Sequence, residues 1–78
     1  MASQKVALVT GAGSGIGKSA ALALLKDGYR VALVGRRKEP LEKTAADSGA
    51  KDRALVLQGD ITQPAVVKEI FSKVKTTW

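Results

Sequence analysis

A glycine-rich segment between an apolar run and an amphipathic stretch constrains the fold of this chain more than any other feature. Residues 10–17 read Thr-Gly-Ala-Gly-Ser-Gly-Ile-Gly, with four glycines in the seven positions after the threonine. Glycine loses more conformational entropy on folding than any other residue, so this run disfavours a helix or a strand. It favours a turn that a phosphate group approaches closely, because the free amides and the dipole of a following helix attract an anion.

The segments on either side of this turn predict a βαβ unit. Residues 5–10 form a short, valine-rich apolar run, which predicts a strand buried on both faces as in a parallel sheet. A helix is predicted from about Gly15 to residue 27, with Gly28 as its stop. Its apolar residues at helical spacing are Ile16, Ala20, Ala23 and Leu24. The apolar run 30–35 predicts a second strand, so the order of elements is the one that a dinucleotide-binding glycine turn requires.

The alternation of apolar runs and helical patterns continues after the second strand. Residues 39–41 predict the start of a second helix, which tolerates a proline in its first turn and ends at Gly49. Residues 53–58 predict a third strand, and residues 59–62 predict a turn. Thr62 is predicted to be the N-cap of a third helix. The apolar stripe of that helix consists of Val67, Ile70, Phe71 and Val74.

The order βαβαβα predicts an α/β fold, namely a Rossmann-type parallel sheet with right-handed crossovers and the strand order 3-2-1. A chain of 78 residues is one small domain or part of one, so we assign residues 1–78 to one dinucleotide-binding unit. In the doubly wound order the first strand is central and needs a neighbour on both sides. Because no stop signal follows the third helix, we expect the chain to be the first half of a larger domain.

Composition and charge exclude several classes of protein. The formal net charge is +6, and the chain contains no cysteine and no histidine. The missing cysteine excludes a disulfide and a thiolate metal site, and we expect no metal site. Since no nucleic-acid module is recognisable, we interpret the basic charge as solvated lysines and expect no nucleic-acid partner. No apolar stretch reaches the length of a membrane span, and residues 1–5 lack a secretory h-region, so we expect a cytoplasmic protein without a membrane partner.

Three local patterns at consistent spacing identify a family resemblance. They are the Thr-Gly-x-x-x-Gly-x-Gly turn at 10–17, Gly-Arg-Arg at 35–37 after the second strand, and Asp-Ile-Thr at 60–62 after the third. Over residues 5 to about 74 the chain resembles the short-chain dehydrogenase/reductase family. The resemblance implies an oxidoreductase that moves hydride between a nicotinamide cofactor and the carbonyl or alcohol of a small-molecule substrate. It also implies that the intact protein forms a homo-oligomer.

The resemblance assigns cofactor-binding roles to the glycine turn. Gly11 would shape the turn, while Gly15 and Gly17 would let the backbone approach the pyrophosphate and let the helix pack on the strand. The backbone amide of Ile16 would bind the pyrophosphate. Ser14 would form a hydrogen bond near the adenosine ribose.

Residues after the second and third strands would bind the adenosine part of the cofactor. Asp60 would accept a hydrogen bond from the adenine amino group, with the Ile61 amide beside it. Enzymes that use NAD place an acidic residue about 20 positions beyond the glycine turn, where it binds the ribose hydroxyls. Here Gly35 occupies that position and is followed by Arg36 and Arg37. Because a guanidinium binds a phosphate through paired hydrogen bonds, the sequence favours NADP over NAD, with Arg36 as the main contact.

The catalytic residues of the family have no counterpart in this sequence. The family uses a Tyr-x-x-x-Lys pair, in which the tyrosine is the acid and base and the lysine lowers its pKa. The only tyrosine here is Tyr29, and the residue four positions later is Leu33. We therefore assign no catalytic residue and expect no turnover by these 78 residues alone.

Two alternative functions remain open from the sequence. Residues 12–19 nearly fit the phosphate-binding loop Gly-x-x-x-x-Gly-Lys-Ser/Thr, with Ala12 in place of the first glycine. In a nucleotide triphosphatase or kinase of that kind, Lys18 would reach the terminal phosphates and Ser19 would hold magnesium. In a dinucleotide site, Lys18 is a weaker second phosphate contact after Arg36. The other alternative is a short nucleotide-binding product without catalytic activity.

Overall fold

The computed structural model describes residues 5–78, which form a parallel three-stranded sheet with helices on both faces. The elements in chain order are β1 (Val6–Thr10), α1 (Gly15–Lys26), β2 (Arg30–Gly35), α2 (Lys38–Ser48), a 3₁₀ turn (Lys51–Arg53), β3 (Ala54–Gln58) and α3 (Pro64–Thr77). The strands lie in the order β1-β2-β3, which confirms the predicted order 3-2-1 and the α/β class.

Strand β2 lies at the centre of the sheet and carries the core. Its residues 31–34 are fully buried, because β2 pairs with a strand on each side and is covered by helices on each face. In β1 the middle residues are only half-buried and Val6 is 46% exposed, whereas the sequence predicted burial on both faces. Within the described residues β1 has a neighbour on one side only, which accounts for the difference.

Alternate residues of β2 face two separate apolar layers. Val31 and Leu33 pack with Leu25 of α1 and Leu41 of α2, so these two helices cover one face. The residues Ala32, Val34 and Leu57 pack with Ile70 of α3 on the other face. Within residues 5–78, no helix is both long enough and apolar enough to span a bilayer.

Helix ends agree with the predicted stops, because both stop glycines adopt the left-handed conformation that other residues disfavour. Gly28 follows α1 with φ +93°, and Gly49 caps α2 with φ +69°. The end of α1 is also held by Arg53, whose Nη1 donates to the carbonyl oxygen of Leu25 at 2.9 Å. These contacts fix the end of α1 opposite the glycine turn.

Two predictions for α3 are wrong in detail. The helix begins at Pro64 with Gln63 as N-cap, because proline suits the first helical turn, and Thr62 bonds to Asp60 instead of capping the helix. Phe71 is 57% exposed, since it lies one position around the helix from the buried Ile70. The residue that completes the apolar face with Ile70 and Val74 is Val66.

The predicted apolar residues of α1 also need correction. The buried residues of this helix are Ala21 and Leu25, with Leu24 partly buried. Ile16 is 89% exposed, because it lies in the first turn, beyond the part of the helix that contacts the sheet. Its side chain therefore has no packing role within the described residues.

Candidate functional site

The carboxyl ends of the three parallel strands meet at one edge of the sheet and surround a cavity of about 560 Å³. We call it the sheet-edge cavity. Three segments line it. They are the end of β1 with the glycine turn (residues 10–11 and 13–14), the end of β2 with the start of α2 (residues 34–37 and 40–41), and the turn after β3 (residues 59–62). In open parallel sheets, ligands bind outside the carboxyl ends of the strands, so this cavity is the candidate site.

Most of the predicted site residues surround this cavity. Those that line it are Gly11, Ser14, Arg36, Arg37, Asp60 and Ile61. The other three predicted residues, Gly15, Ile16 and Gly17, do not line it and form the first turn of α1 directly after Ser14. The structure thus brings together residues that are as many as 50 positions apart in the sequence, from Gly11 to Ile61.

The glycine turn has an open side and a packed side. Gly11 and Gly15 have φ values of +64° and +56°, and a Cβ atom added at either would meet nothing within 4 Å. A Cβ atom on Gly17 would lie 2.2 Å from the carbonyl oxygen of Gly11. Gly17 therefore lets α1 pack closely against the turn, while the backbone at Gly11 and Gly15 stays accessible from outside.

The first turn of α1 presents free hydrogen-bond donors. Within residues 5–78, the amides of Gly15, Ile16 and Gly17 have no backbone acceptor, and Ser14 provides no side-chain cap. Ser14 is in an extended conformation with φ −160°, which directs the chain from the turn into the helix. Unpaired amides at a helix N-terminus together with the helix dipole favour a negatively charged group.

The turns after β2 and β3 are joined by hydrogen bonds. The amide of Gly59 donates to the carbonyl oxygen of Gly35 at 2.8 Å, and Nε2 of Gln58 donates to the carbonyl oxygen of Arg36 at 3.0 Å. The arginine segment and the acidic turn therefore keep a fixed separation across the mouth of the sheet-edge cavity.

Asp60 is held as a carboxylate in this cavity. Its Oδ1 accepts hydrogen bonds from the hydroxyl of Thr62 at 2.7 Å and from the amide of Thr62 at 2.9 Å. Nε of Arg36 lies 3.8 Å from the same oxygen. The side-chain bond and then the backbone bond from Thr62 lower the pKa of Asp60 below its ordinary value of 3.8. Burial opposes this shift, and the Arg36 charge makes the smallest contribution to the lowering. At neutral pH Asp60 is therefore an acceptor for a donor group.

Lys18 lies apart from the cavity. Its Nζ donates to Oδ2 of Asp47 on α2 at 3.0 Å, and neither Lys18 nor the exposed Ser19 lines the cavity. The structure therefore does not bring Lys18 to the site, either as the second phosphate contact or as the lysine of a triphosphatase loop.

Sequence reasoning missed a residue that contacts the glycine turn. Thr44 of α2 is fully buried, and its Oγ1 donates to the carbonyl oxygen of Ala12 at 2.9 Å. A single threonine within a helical pattern carries no signal of this role, because the contact joins residues 32 positions apart.

Comparison with known proteins agrees with this architecture. The profile of the family described as short chain dehydrogenase matches residues 5–78. An uncharacterized oxidoreductase of Staphylococcus aureus is 39% identical over 74 residues, which covers 95% of this chain and 32% of the relative. The chain thus spans about a third of the length of the curated relatives it matches.

Solved structures are similar over the same region. L-sorbose reductase from Gluconobacter frateurii, crystallised with NADPH and L-sorbose, has a TM-score of 0.88 and 32% identity, and the match covers 97% of this chain and 30% of that one. A 3-ketoacyl-(acyl-carrier-protein) reductase from Brucella melitensis, crystallised with NADH, has a TM-score of 0.73 and 41% identity, and the match covers 88% of this chain and 29% of that one. The similarity therefore extends to proteins in complex with either nicotinamide cofactor.

Proposed function

Because this chain belongs to the short-chain dehydrogenase family, we propose that residues 5–78 form the cofactor-binding part of an oxidoreductase and that the cofactor is NADP(H). The observation that carries this proposal is that two arginines and an ionised aspartate line one cavity at the carboxyl edge of the sheet, and that the free α1 amides follow directly after Ser14, which also lines it. These groups match the diphosphate, the ribose phosphate and the adenine of a dinucleotide in charge and in hydrogen bonding.

The glycine turn has the space and the hydrogen-bond donors that a diphosphate requires. The open side of Gly11 and Gly15 leaves room for a ligand at the backbone, and the amides of Gly15, Ile16 and Gly17 supply donors. In this proposal the Ile16 amide binds the diphosphate, as the donor set and the helix dipole favour. Ser14, which lines the cavity beside them, bonds near the adenosine ribose.

The adenosine end would be bound by residues from the other two turns. Asp60 accepts a hydrogen bond from the adenine amino group, and the amide of Ile61 lies beside it in the sequence. Arg36 and Arg37 line the cavity where an acidic residue would select NAD, which supports a preference for the additional phosphate of NADP. The similar structures contain NADPH in one case and NADH in another, so the arginines carry this part of the proposal.

We further propose that the intact protein is a cytoplasmic homo-oligomer that moves hydride between NADP(H) and a carbonyl or alcohol of a small molecule. The cofactor supplies or accepts the hydride, and the described residues bind and orient it. These 78 residues contain no Tyr-x-x-x-Lys pair, so this part of the protein binds cofactor without turnover.

The proposal is tested by titrating NADP⁺ and NAD⁺ into the protein in a calorimeter. We expect tighter binding of NADP⁺, and we expect Arg36→Ala to weaken NADP⁺ about tenfold while NAD⁺ is unchanged. A hydrogen bond to a charged group contributes about 1.5–3 kcal/mol. We use the lower end of this range, which corresponds to about a tenfold change in Kd, because the side chain of Arg36 is 74% exposed and solvent screens its charge.

Lys38→Ala is the matched control, since it removes one exposed positive charge that does not line the cavity. Equal or tighter binding of NAD⁺ by the wild-type protein would refute the preference for NADP. If neither dinucleotide binds, the assignment as a cofactor-binding unit is wrong.

A further inference from the structure

Thr44 stands out in the core because it is a fully buried polar residue among apolar side chains. We infer that Thr44 is a positioning residue for the glycine turn, whose hydroxyl holds the Ala12 carbonyl in the arrangement that binds a diphosphate. This inference rests on the proposed function of the turn and adds a residue of α2 to it.

The hydroxyl of Thr44 has two acceptors within reach and one proton to donate. Its Oγ1 lies 2.9 Å from the carbonyl oxygen of Ala12 and 3.0 Å from that of Pro40. The Pro40 carbonyl is the local i−4 acceptor that a helix interior already pairs with a backbone amide. Within residues 5–78, Ala12 has no other donor to its carbonyl, and the residue is fully buried. If the Thr44 hydroxyl is removed, the Pro40 carbonyl therefore keeps a hydrogen-bond donor and the Ala12 carbonyl does not.

Ala12 is the point at which the glycine turn is fixed to the rest of the fold. Its amide donates to the carbonyl oxygen of Val34 on β2 at 3.2 Å, while its carbonyl accepts from Thr44 on α2. The neighbouring glycine is held by packing, since a Cβ atom on Gly13 would lie 2.6 Å from Cβ of Pro40. Helix α2 therefore fixes the position of a turn whose glycines would otherwise allow many conformations.

Removing the hydroxyl changes which turn conformations are populated. The Ala12 carbonyl would be buried without a donor, and the turn would relax toward conformations in which that oxygen reaches water. Only the fraction of molecules with the native turn would bind a diphosphate, and the apparent Kd rises by the inverse of that fraction. An unpaired buried carbonyl is penalised enough to weaken binding by about tenfold.

The experiment compares Thr44→Val with Thr44→Ser by calorimetric titration of three ligands. ADP-ribose and NADP⁺ contain the diphosphate, whereas adenosine 2′-monophosphate lacks it and would meet only the Arg36 and Asp60 side of the cavity. We expect Thr44→Val to weaken ADP-ribose and NADP⁺ about tenfold and to leave adenosine 2′-monophosphate unchanged. Thr44→Ser keeps the hydroxyl and restores wild-type affinity.

Thr76→Val is the matched control. Thr76 makes the same kind of i−4 bond, with its Oγ1 2.8 Å from the carbonyl oxygen of Ser72, and it is exposed on α3. This substitution should change none of the three affinities. Should Thr44→Val fail to fold, Thr44→Cys is compared with Thr44→Ser, because a thiol is a weaker donor and should bind diphosphates less tightly.

The outcomes separate this inference from the proposed function. Unchanged ADP-ribose binding by Thr44→Val would overturn the role of Thr44, and so would an equal loss for all three ligands, which would indicate a general loss of structure. If the wild-type protein itself binds neither ADP-ribose nor NADP⁺, the proposed function fails before any variant is made, and the inference fails with it.

Discussion

Gly17→Ala tests how closely α1 approaches the glycine turn. A Cβ atom at this position would lie 2.2 Å from the carbonyl oxygen and 2.7 Å from the carbonyl carbon of Gly11, and 3.0 Å from the carbonyl oxygen of Thr10. All three atoms belong to the backbone, so no side chain can rotate away. To reach the 3.4 Å at which ordinary contact begins, the helix must move from the turn by about 1.2 Å.

The expected magnitude follows from two opposing effects. Overpacking costs about 1–3 kcal/mol, and a backbone obstacle places this substitution at about 3. Alanine has a higher helix propensity than glycine, which offsets about 1 kcal/mol of this cost. The free energy of unfolding should therefore fall by about 2 kcal/mol. In a domain of this size, each kcal/mol lowers Tm by about 4–8 °C, so the expected decrease is about 8–16 °C.

Thermal unfolding followed by far-ultraviolet circular dichroism measures this effect. Ser19→Ala is the control, because it adds alanine at an exposed position of the same helix and should change stability by less than about 0.5 kcal/mol. A Gly17→Ala protein that melts at or above the wild-type temperature would show that the helix does not rest on the turn, and the described packing would be wrong.

Two further predictions concern Lys18 and Asp60. Lys18→Ala should leave the NADP⁺ affinity unchanged in a titration. It should lower the free energy of unfolding by less than about 1 kcal/mol, because solvent screens the half-exposed ion pair with Asp47. If the substitution instead abolishes a magnesium-dependent binding of ATP, the result would support a triphosphatase loop. The folded pKa of Asp60 lies below its ordinary value of 3.8, so its stabilising effect is complete above that value and is lost as the pH falls through the lowered pKa. Thr62→Val should move the pKa of Asp60 upward, and an NMR titration of the carboxyl carbon that finds no change would contradict this.

The sheet could be predicted because strand and helix patterns alternate along the whole chain. Strand β2 begins and ends at the predicted residues, and the two stop glycines have the expected positive φ. The buried face of α1 could not be predicted, because residues 20–25 are apolar without exception and allow several equally good stripes. Contact with the sheet selects Ala21 and Leu25, and only the tertiary structure contains that information.

In the candidate site, too, local features could be predicted and contacts between distant residues could not. Residues whose signal lies in the backbone or in local spacing, such as the glycines and the arginine pair, could be named from the sequence. Thr44 and Gln58 could not, since each acts through a carbonyl on a different turn, 32 and 22 positions away. For Lys18 the local spacing suggested a phosphate contact, but in the structure its Nζ donates to the carboxylate of Asp47.

Helix α2 connects these observations, because it contacts the glycine turn and underlies the end of β2. Pro40 and Thr44 hold the glycine turn, and Leu41, which is 1% exposed, packs beneath Gly35. A Cβ atom on Gly35 would lie 3.2 Å from Cδ2 of Leu41, which is tighter than ordinary contact. A side chain at the position where an acidic residue selects NAD would therefore require Leu41 to shift by a few tenths of an ångström. The packing of α2 beneath Gly35 therefore disfavours an acidic side chain there, which acts in the same direction as the proposed preference for NADP.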